Sequence, residues 1–495
     1  MNNWVVLPIV MPIISGMIMV VFKNNIRLHR FLSLLTLGLI GIVSVLLLGQ
    51  IETGGIQTLY LGGWQAPFGI TLVADMFAVL LVLVGATVTF CCLCYAFSSI
   101  GNDRERHYFY ALCLFLIAGV NGSFLTGDIF NLFVCFEVML VASYVLISIG
   151  GTRIQLRESF KYILINMLSS TLFLVAIAYL YSLMGTLNLA HLSVRVADVG
   201  QGGVIAAVAL LFLIVFSIKA GLFLFFWLPG SYGAAPTAIA AIFASLLTKV
   251  GIYAIIRLFS LVFYHEPAFT HLFIGVLAGV TMVLGAMGAV AYWDIKRIIT
   301  YNVVVGIGFI LAGFASFTLV GVRGSMYYLL HDMIIKALII LLGGTIIHLT
   351  GTGRLRDMSG LIRLYPQLGW MFFIAAFSLA GVPPLSGFPG KVFITAGTFE
   401  ADYFWLGGIG LFTSLLVLYS IMKIFMSVFW GYTNLATDNE KGTAKGLLPS
   451  MAFLTVLTIA LGLGVEGIHS YIDLAVEGVL NPQAYIGAVL GSGGY

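Results

Sequence analysis

Charge is what this sequence lacks. Only 8% of its 495 residues are Asp, Glu, Lys or Arg, and 61% are hydrophobic, whereas about 25% charged is usual for soluble domains. That excludes an ordinary soluble globule and leaves no stretch polar enough for a separate soluble domain. Also missing are a phosphate-binding loop, a dinucleotide fingerprint between strand and helix, an HExxH pair and a nucleophile elbow. Neither nucleotide-driven pumping nor hydrolysis is expected, so the energy for any transport must come from an ion gradient or from partner subunits. Cysteine is scarce: Cys91, Cys92, Cys94, Cys113 and Cys135 all lie in apolar stretches. Cys91 and Cys94 have CxxC spacing, but with no second pair or His cluster nearby they read as helix packing. No metal or cofactor is expected, and the net charge of +4 does not point to nucleic acid. No basic region precedes the first apolar run; Lys23, Arg27 and Arg30 follow it, so residues 1–22 read as a retained span rather than a cleaved signal.

What is present is a succession of apolar runs long enough to cross about 30 Å of hydrocarbon as helices. We place them at 4–22, 31–50, 71–98, 108–126, 128–150, 160–184, 204–228, 237–263, 270–292, 298–320, 325–349, 368–398, 405–430 and 447–465, which predicts an all-α polytopic membrane protein of about 14 spans. Assigning the connecting segments alternately to two sides tests this, because cytoplasmic loops collect Lys and Arg. One side receives Lys23, Arg27, Arg30, Arg104, Arg106, Arg153, Arg157, Lys161, Lys296, Arg297, Arg354, Arg356, Arg363, Lys441 and Lys445; the other receives only Arg195, Arg257 and Arg323. Both termini are then expected outside. Trp4, Trp227, Trp293, Trp370, Trp405 and Trp430 fall near span ends and read as an interfacial belt. Segment 51–70, with IQTLYLGGW, suggests a short outside hairpin, and the tail after 466 suggests an amphipathic interfacial helix.

Two spans contain helix breakers. Pro229 and Pro236 interrupt the seventh, and Pro383, Pro384 and Pro389 the twelfth. Proline removes a backbone donor and clashes with the preceding turn, and backbone exposed in this way must be buried in protein or line a wet cavity. The breaks are five spans apart. Spans four to eight and nine to thirteen therefore read as two five-helix repeats, inverted because the number is odd, as in many transporters. The predicted division is 1–107 for helices one to three, 108–264 and 265–430 for the repeats, and 431–495 for the last helix and tail.

Within these apolar runs stand a few charges. Glu137 lies mid-span, and a carboxylate there costs a few kcal/mol, so it needs a cation or a function. The available bases are Lys219, Lys249, Lys336 and Lys391. Glu137 and Lys219 make each other tolerable, and movement of either changes the other's affinity for a proton. Lys249 has no obvious acidic partner. Lys336 can pair with Asp332 at i and i+4 or serve with His331 as a relay between the repeats. His348 near the end of that span and Tyr232 in the first break are accessory candidates. The bland alternatives are a structural Glu137–Lys219 ion pair and snorkelling of Lys249 and Lys391. Asp75 and Asp128 read as helix caps, Asp294, Lys296 and Arg297 as an inside anchor, and Lys423 as reaching towards an interface.

The stretches TGDIFNLFVCFEVMLVASYVLIS, IKAGLFLFFWLPGSYGAAPTAIAAIFASLLTKVGIY, DIKRIITYNVVVGIGF and SLAGVPPLSGFPGKVF resemble the antiporter-like family shared by Mrp-type cation/proton antiporters and the membrane arm of respiratory complex I. The resemblance covers nearly the whole chain. It implies fourteen core helices with broken helices seven and twelve, and it puts the family's ion-pair glutamate on Glu137, its paired lysine on Lys219, its central lysine on Lys249, its bridging histidine on His331 and its terminal lysine on Lys391. It further implies H⁺ and Na⁺ or another monovalent cation as substrates, other Mrp subunits including a second antiporter-like chain as partners, and the lipid of a prokaryotic cell membrane as surroundings. A proton-pumping subunit of a quinone oxidoreductase or membrane hydrogenase is the alternative within the same family. Many relatives carry a His at the first break where this chain has none, which leaves Tyr232 or water to serve there.

Overall fold

The computed structural model of the chain describes residues 2–432 and 444–491; Lys441, counted above on the basic side, lies outside them. The described residues are helical apart from a two-stranded antiparallel hairpin, and the predicted apolar segments fall on helices or helix pairs. Among the described residues ten helices are long and apolar enough to cross a membrane, or up to eleven if Leu448–Leu463 and Val465–Leu480, bent by 79°, are one span. Phe109–Leu125, Val204–Ala220 and Pro366–Ala380 are shorter apolar helices. The chain is a multi-pass membrane protein.

Helix starts follow local chemistry. Asp75 Oδ1 accepts from the Ala78 amide at 2.9 Å and Asp128 Oδ1 from Asn131 at 2.8 Å, so both aspartates cap as expected. Asp294 caps in the same way, accepting from Arg297 at 3.1 Å. The hairpin pairs Gln57–Tyr60 with Thr71–Ala74. Its second strand takes residues assigned by composition to the third span, which begins only at Met76; an apolar strand next to an apolar helix leaves no boundary in the hydropathy. The two chain ends meet at this hairpin, Asn2 N donating to Thr58 O at 3.0 Å and Tyr60 Oη to Val489 O at 2.7 Å. The amphipathic tail forms the helices Val465–Leu480 and Pro482–Leu490, with Asp473 held by Arg323 at 2.7 Å.

The helices around the first half of the chain have counterparts five predicted spans later. Ile129 N donates to Leu187 O and Leu189 N to Gly127 O; Ile295 N donates to Gly353 O and Leu355 N to Trp293 O. Each pair brackets a capping aspartate, Asp128 or Asp294. The broken helices also end alike: Leu222 N returns to Ser217 O after Gly221 at φ 78°, and Val382 N to Phe377 O after Gly381 at φ 85°. Positive φ with this six-to-one bond is the usual helix stop at glycine.

One tryptophan departs from the belt. Trp227 is 3% exposed, because its Nε1 donates at 3.0 Å to Ile218 O, a carbonyl that the first break leaves without a helical donor. Lys423 is likewise buried, donating to Val290 O at 2.8 Å and Tyr292 O at 2.7 Å, where it terminates the Pro267–Ala291 helix instead of reaching solvent.

Candidate functional site

Glu137 sits on the Ile129–Ser148 helix, and Lys219 near the end of Val204–Ala220. They do not touch directly. Ser170, from the Arg153–Met184 helix, donates to Glu137 Oε1 and accepts from Lys219 Nζ at 3.1 Å. The expected ion pair is thus a Glu137–Ser170–Lys219 triplet, with the ammonium 5.0 Å from the centre of the Phe136 ring. The separation lowers the direct Coulomb attraction, while the hydroxyl, able to donate and accept at once, gives a proton a stepping point.

Lys249 lies on the Thr237–Leu261 helix, whose Phe243–Leu247 segment forms a π turn. The wider turn leaves Ala244 O for Lys249 Nζ at 2.7 Å. The close approach of Gly251 to Ala220, where a Cβ would come within 2.6 Å of the Ala220 nitrogen, packs this helix against the one bearing Lys219. Contrary to the expectation that Lys249 lacks an acid, its Nζ is 2.6 Å from Asp332 Oδ2, while Lys336 Nζ is 3.2 Å from Oδ1. None of the three side chains is more than 1% exposed. Lys336 also donates to Asn302 O at 2.8 Å. One carboxylate therefore serves two ammonium groups.

Room for Asp332 comes from Gly306, where a Cβ would sit 2.5 Å from Oδ1. Gly306→Val should displace the carboxylate and lower cation-dependent proton flux by about tenfold or more, since a buried charge without its partner is costly; a flux assay normalised to the amount of assembled chain checks this.

His331 follows on the Leu319–Thr350 helix. Its Nδ1 contacts Ser386 Oγ at 2.8 Å, and Ser386 contacts Ser378 at 3.0 Å; Nε2 has no partner among the described residues. Lys391 is turned into the second break, donating to Ala380 O at 2.9 Å and Ser414 Oγ at 3.1 Å over the Phe309 ring. Gly390 lets its helix press on Tyr328, three residues from His331. Pro383 and Pro384 stand between Gly381 and the Gly387–Glu400 helix; in the first break Pro229 opens the short Leu228–Ala234 helix and Pro236 follows it.

His348 is exposed and stands apart from this buried set. Tyr232 is buried with an unpartnered hydroxyl and lines a cleft with Thr237, Lys296, Thr300 and Gly344. Sequence reasoning missed Ser170, Ser386 and Ser414, ordinary residues for membrane helices; the run Ser169–Ser170 in mid-span was the available signal. Among the described residues no three His, Cys, Asp or Glu side chains cluster as a metal site.

The arrangement is a succession of buried, proton-bearing groups across both broken helices. Comparison with known proteins gives the same part of the chain prominence: residues 126–417 match the family described as NADH:quinone oxidoreductase/Mrp antiporter, TM. The chain is 49% identical over 491 residues to the D subunit of the Na(+)/H(+) antiporter of Bacillus subtilis (strain 168), covering 99% of this chain and 100% of the relative. Among solved structures it is similar to a chain in the Mrp complex from Dietzia sp. DQ12-45-1b, at 29% identity, TM-score 0.91 and coverage of 99% and 100%. It is also similar to a chain of the membrane-bound sulfane sulfur reductase, an archaeal respiratory membrane complex, at 25% identity, TM-score 0.91 and the same coverage. With a family match over more than half its length and a near-full-length relative at this identity, the chain belongs to the NADH:quinone oxidoreductase/Mrp antiporter family of membrane subunits.

Proposed function

We propose that this chain is the proton-translocating, antiporter-like D-type subunit of a multi-subunit Mrp antiporter that exchanges Na⁺ or another monovalent cation for H⁺. The observation that carries the reading is the buried set Glu137–Ser170–Lys219 and Lys249–Asp332–Lys336, each held together by short polar contacts, with His331 on Ser386 and Lys391 on Ser414 beyond them. Protons pass between them through water in the remaining gaps. Structural ion pairs alone would be a poor source of stability, and an acid shared by two bases serves relay better than anchoring. The chain acts as a secondary transporter subunit and not as an enzyme. Its partners are other Mrp subunits, one a second antiporter-like chain. It resides in the plasma membrane of a prokaryote with both termini outside, and spans four to eight and nine to thirteen of its fourteen form inverted five-helix units.

A second reading, a proton-pumping subunit of a respiratory oxidoreductase, is favoured by the likeness to the archaeal respiratory chain and uses the same residues. Purifying the tagged chain in mild detergent separates the two. Small hydrophobic partners with a larger antiporter-like chain and no flavin or iron-sulfur absorbance support the antiporter; redox subunits with those absorbances overturn it.

A further inference from the structure

Arg257 and Asp75 are two buried charges the relay does not use. Arg257 Nη2 is 2.6 Å from Asp75 Oδ2, and both side chains are no more than 5% exposed. Arg257 is on the helix that carries Lys249, with Tyr253 between them at i+4 and Arg257 at i+8. These spacings keep the three on neighbouring positions of one face, with about 12 Å of rise from first to last. Arg257 Nε donates to Tyr253 Oη at 3.1 Å, and that hydroxyl donates to Phe124 O at 2.6 Å. Tyr253 and Arg257, which holds Asp75, thus lie on the same helix as Lys249, about one to two turns further towards the face opposite the basic loops.

At that face it does not end in packed apolar side chains. Asp75 lines an open cavity of about 310 Å³ together with Glu477, Ala484 and Ala488 of the tail. Tyr485, from the same tail, lays its ring 5.2 Å from the Arg257 guanidinium, and its own hydroxyl is buried with no partner. The two carboxylates Asp75 and Glu477 give this cavity its polar lining, and the tail is pinned there by Asp473 to Arg323 and by Tyr60 to Val489 O.

We propose that Tyr253, Arg257 and Asp75 form a gated proton outlet from the Lys249–Asp332 pair to the face opposite the basic loops, with the C-terminal helices as its lid. This rests on the proton-conducting reading above. A proton released by Lys249 moves through water at the Tyr253 hydroxyl to Asp75. Arg257 does not deprotonate; it holds the Asp75 carboxylate at 2.6 Å, and its fixed charge repels protons returning from outside. Protonation of Asp75 breaks the ion pair, and the proton leaves into the cavity past Glu477.

The test uses the whole complex in proteoliposomes, with Glu137→Gln as a control for the underlying reading. Tyr253→Phe should assemble and slow cation-dependent proton flux about tenfold, the scale of a lost proton-transfer group. Arg257→Gln should raise the passive proton leak without added cation severalfold. Because Arg257→Gln leaves a buried carboxylate unpaired and can fail to assemble, Ala488→Cys supplies a separate route: labelling by a membrane-impermeant thiol reagent should slow flux, with the unsubstituted chain as control. Flux at the normal rate in assembled Tyr253→Phe, or in labelled Ala488→Cys, overturns the outlet. If Glu137→Gln abolishes flux while those variants are normal, the outlet alone falls; normal flux in Glu137→Gln removes the reading beneath it.

Discussion

Asp332→Asn should abolish cation-dependent proton flux, by at least about a hundredfold, in a complex that still assembles. The carboxylate is fully buried between Lys249 at 2.6 Å and Lys336 at 3.2 Å. Removing its charge leaves two ammonium groups facing each other, and breaking a buried pair in this way is worth about 3–5 kcal/mol, or about two to four powers of ten at about 1.36 kcal/mol each. Asparagine keeps the shape of the side chain, so the helices still pack, but neither lysine keeps the charged partner they share. Proton passage between the two halves then stops. Measuring flux and assembled protein in the same vesicles checks both parts.

Glu137→Gln should have a comparable effect at the other end of the file. Glutamine keeps the shape and the hydrogen bond with Ser170, so packing around Phe136 and Lys219 is retained. What it loses is the negative charge that, through Ser170, stabilises the Lys219 ammonium. The lysine is 4% exposed and loses its acidic neighbour, which removes the first relay step. Ser170→Ala tests the bridge itself: it keeps both charges but leaves Lys219 Nζ without the hydroxyl at 3.1 Å, and flux should fall about tenfold, less than for the loss of a charge.

Much of this was legible because membrane sequences state their costs openly. Apolar length gave the helices, proline marked the two breaks, and isolated charges at Glu137, Lys219, Lys249, His331 and Lys391 marked the site. The pairings were less legible. Asp332 reads locally as the i, i+4 partner of Lys336, which it is, and nothing in the chain says that a distant helix brings Lys249 to its other oxygen. Ser170 looks like any small polar residue in a membrane helix. The π turn ahead of Lys249 contains no proline or glycine to announce it, and Trp227 looks interfacial until the break turns it inward. Thr71–Ala74 merges with the following helix in hydropathy although its backbone pairs as a strand.

The central claim, that buried charges in mid-membrane carry protons between the two broken helices, is tested most directly at Lys249. Lys249→Met leaves Asp332 still paired with Lys336, so the buried carboxylate keeps a cation and the fold is spared. The measurement is cation-driven proton flux by the whole complex in proteoliposomes, normalised to assembled chain. The account predicts a loss of about a hundredfold with normal assembly. Flux within about twofold of the unsubstituted complex, well below the loss expected for a charge in the path, would contradict it.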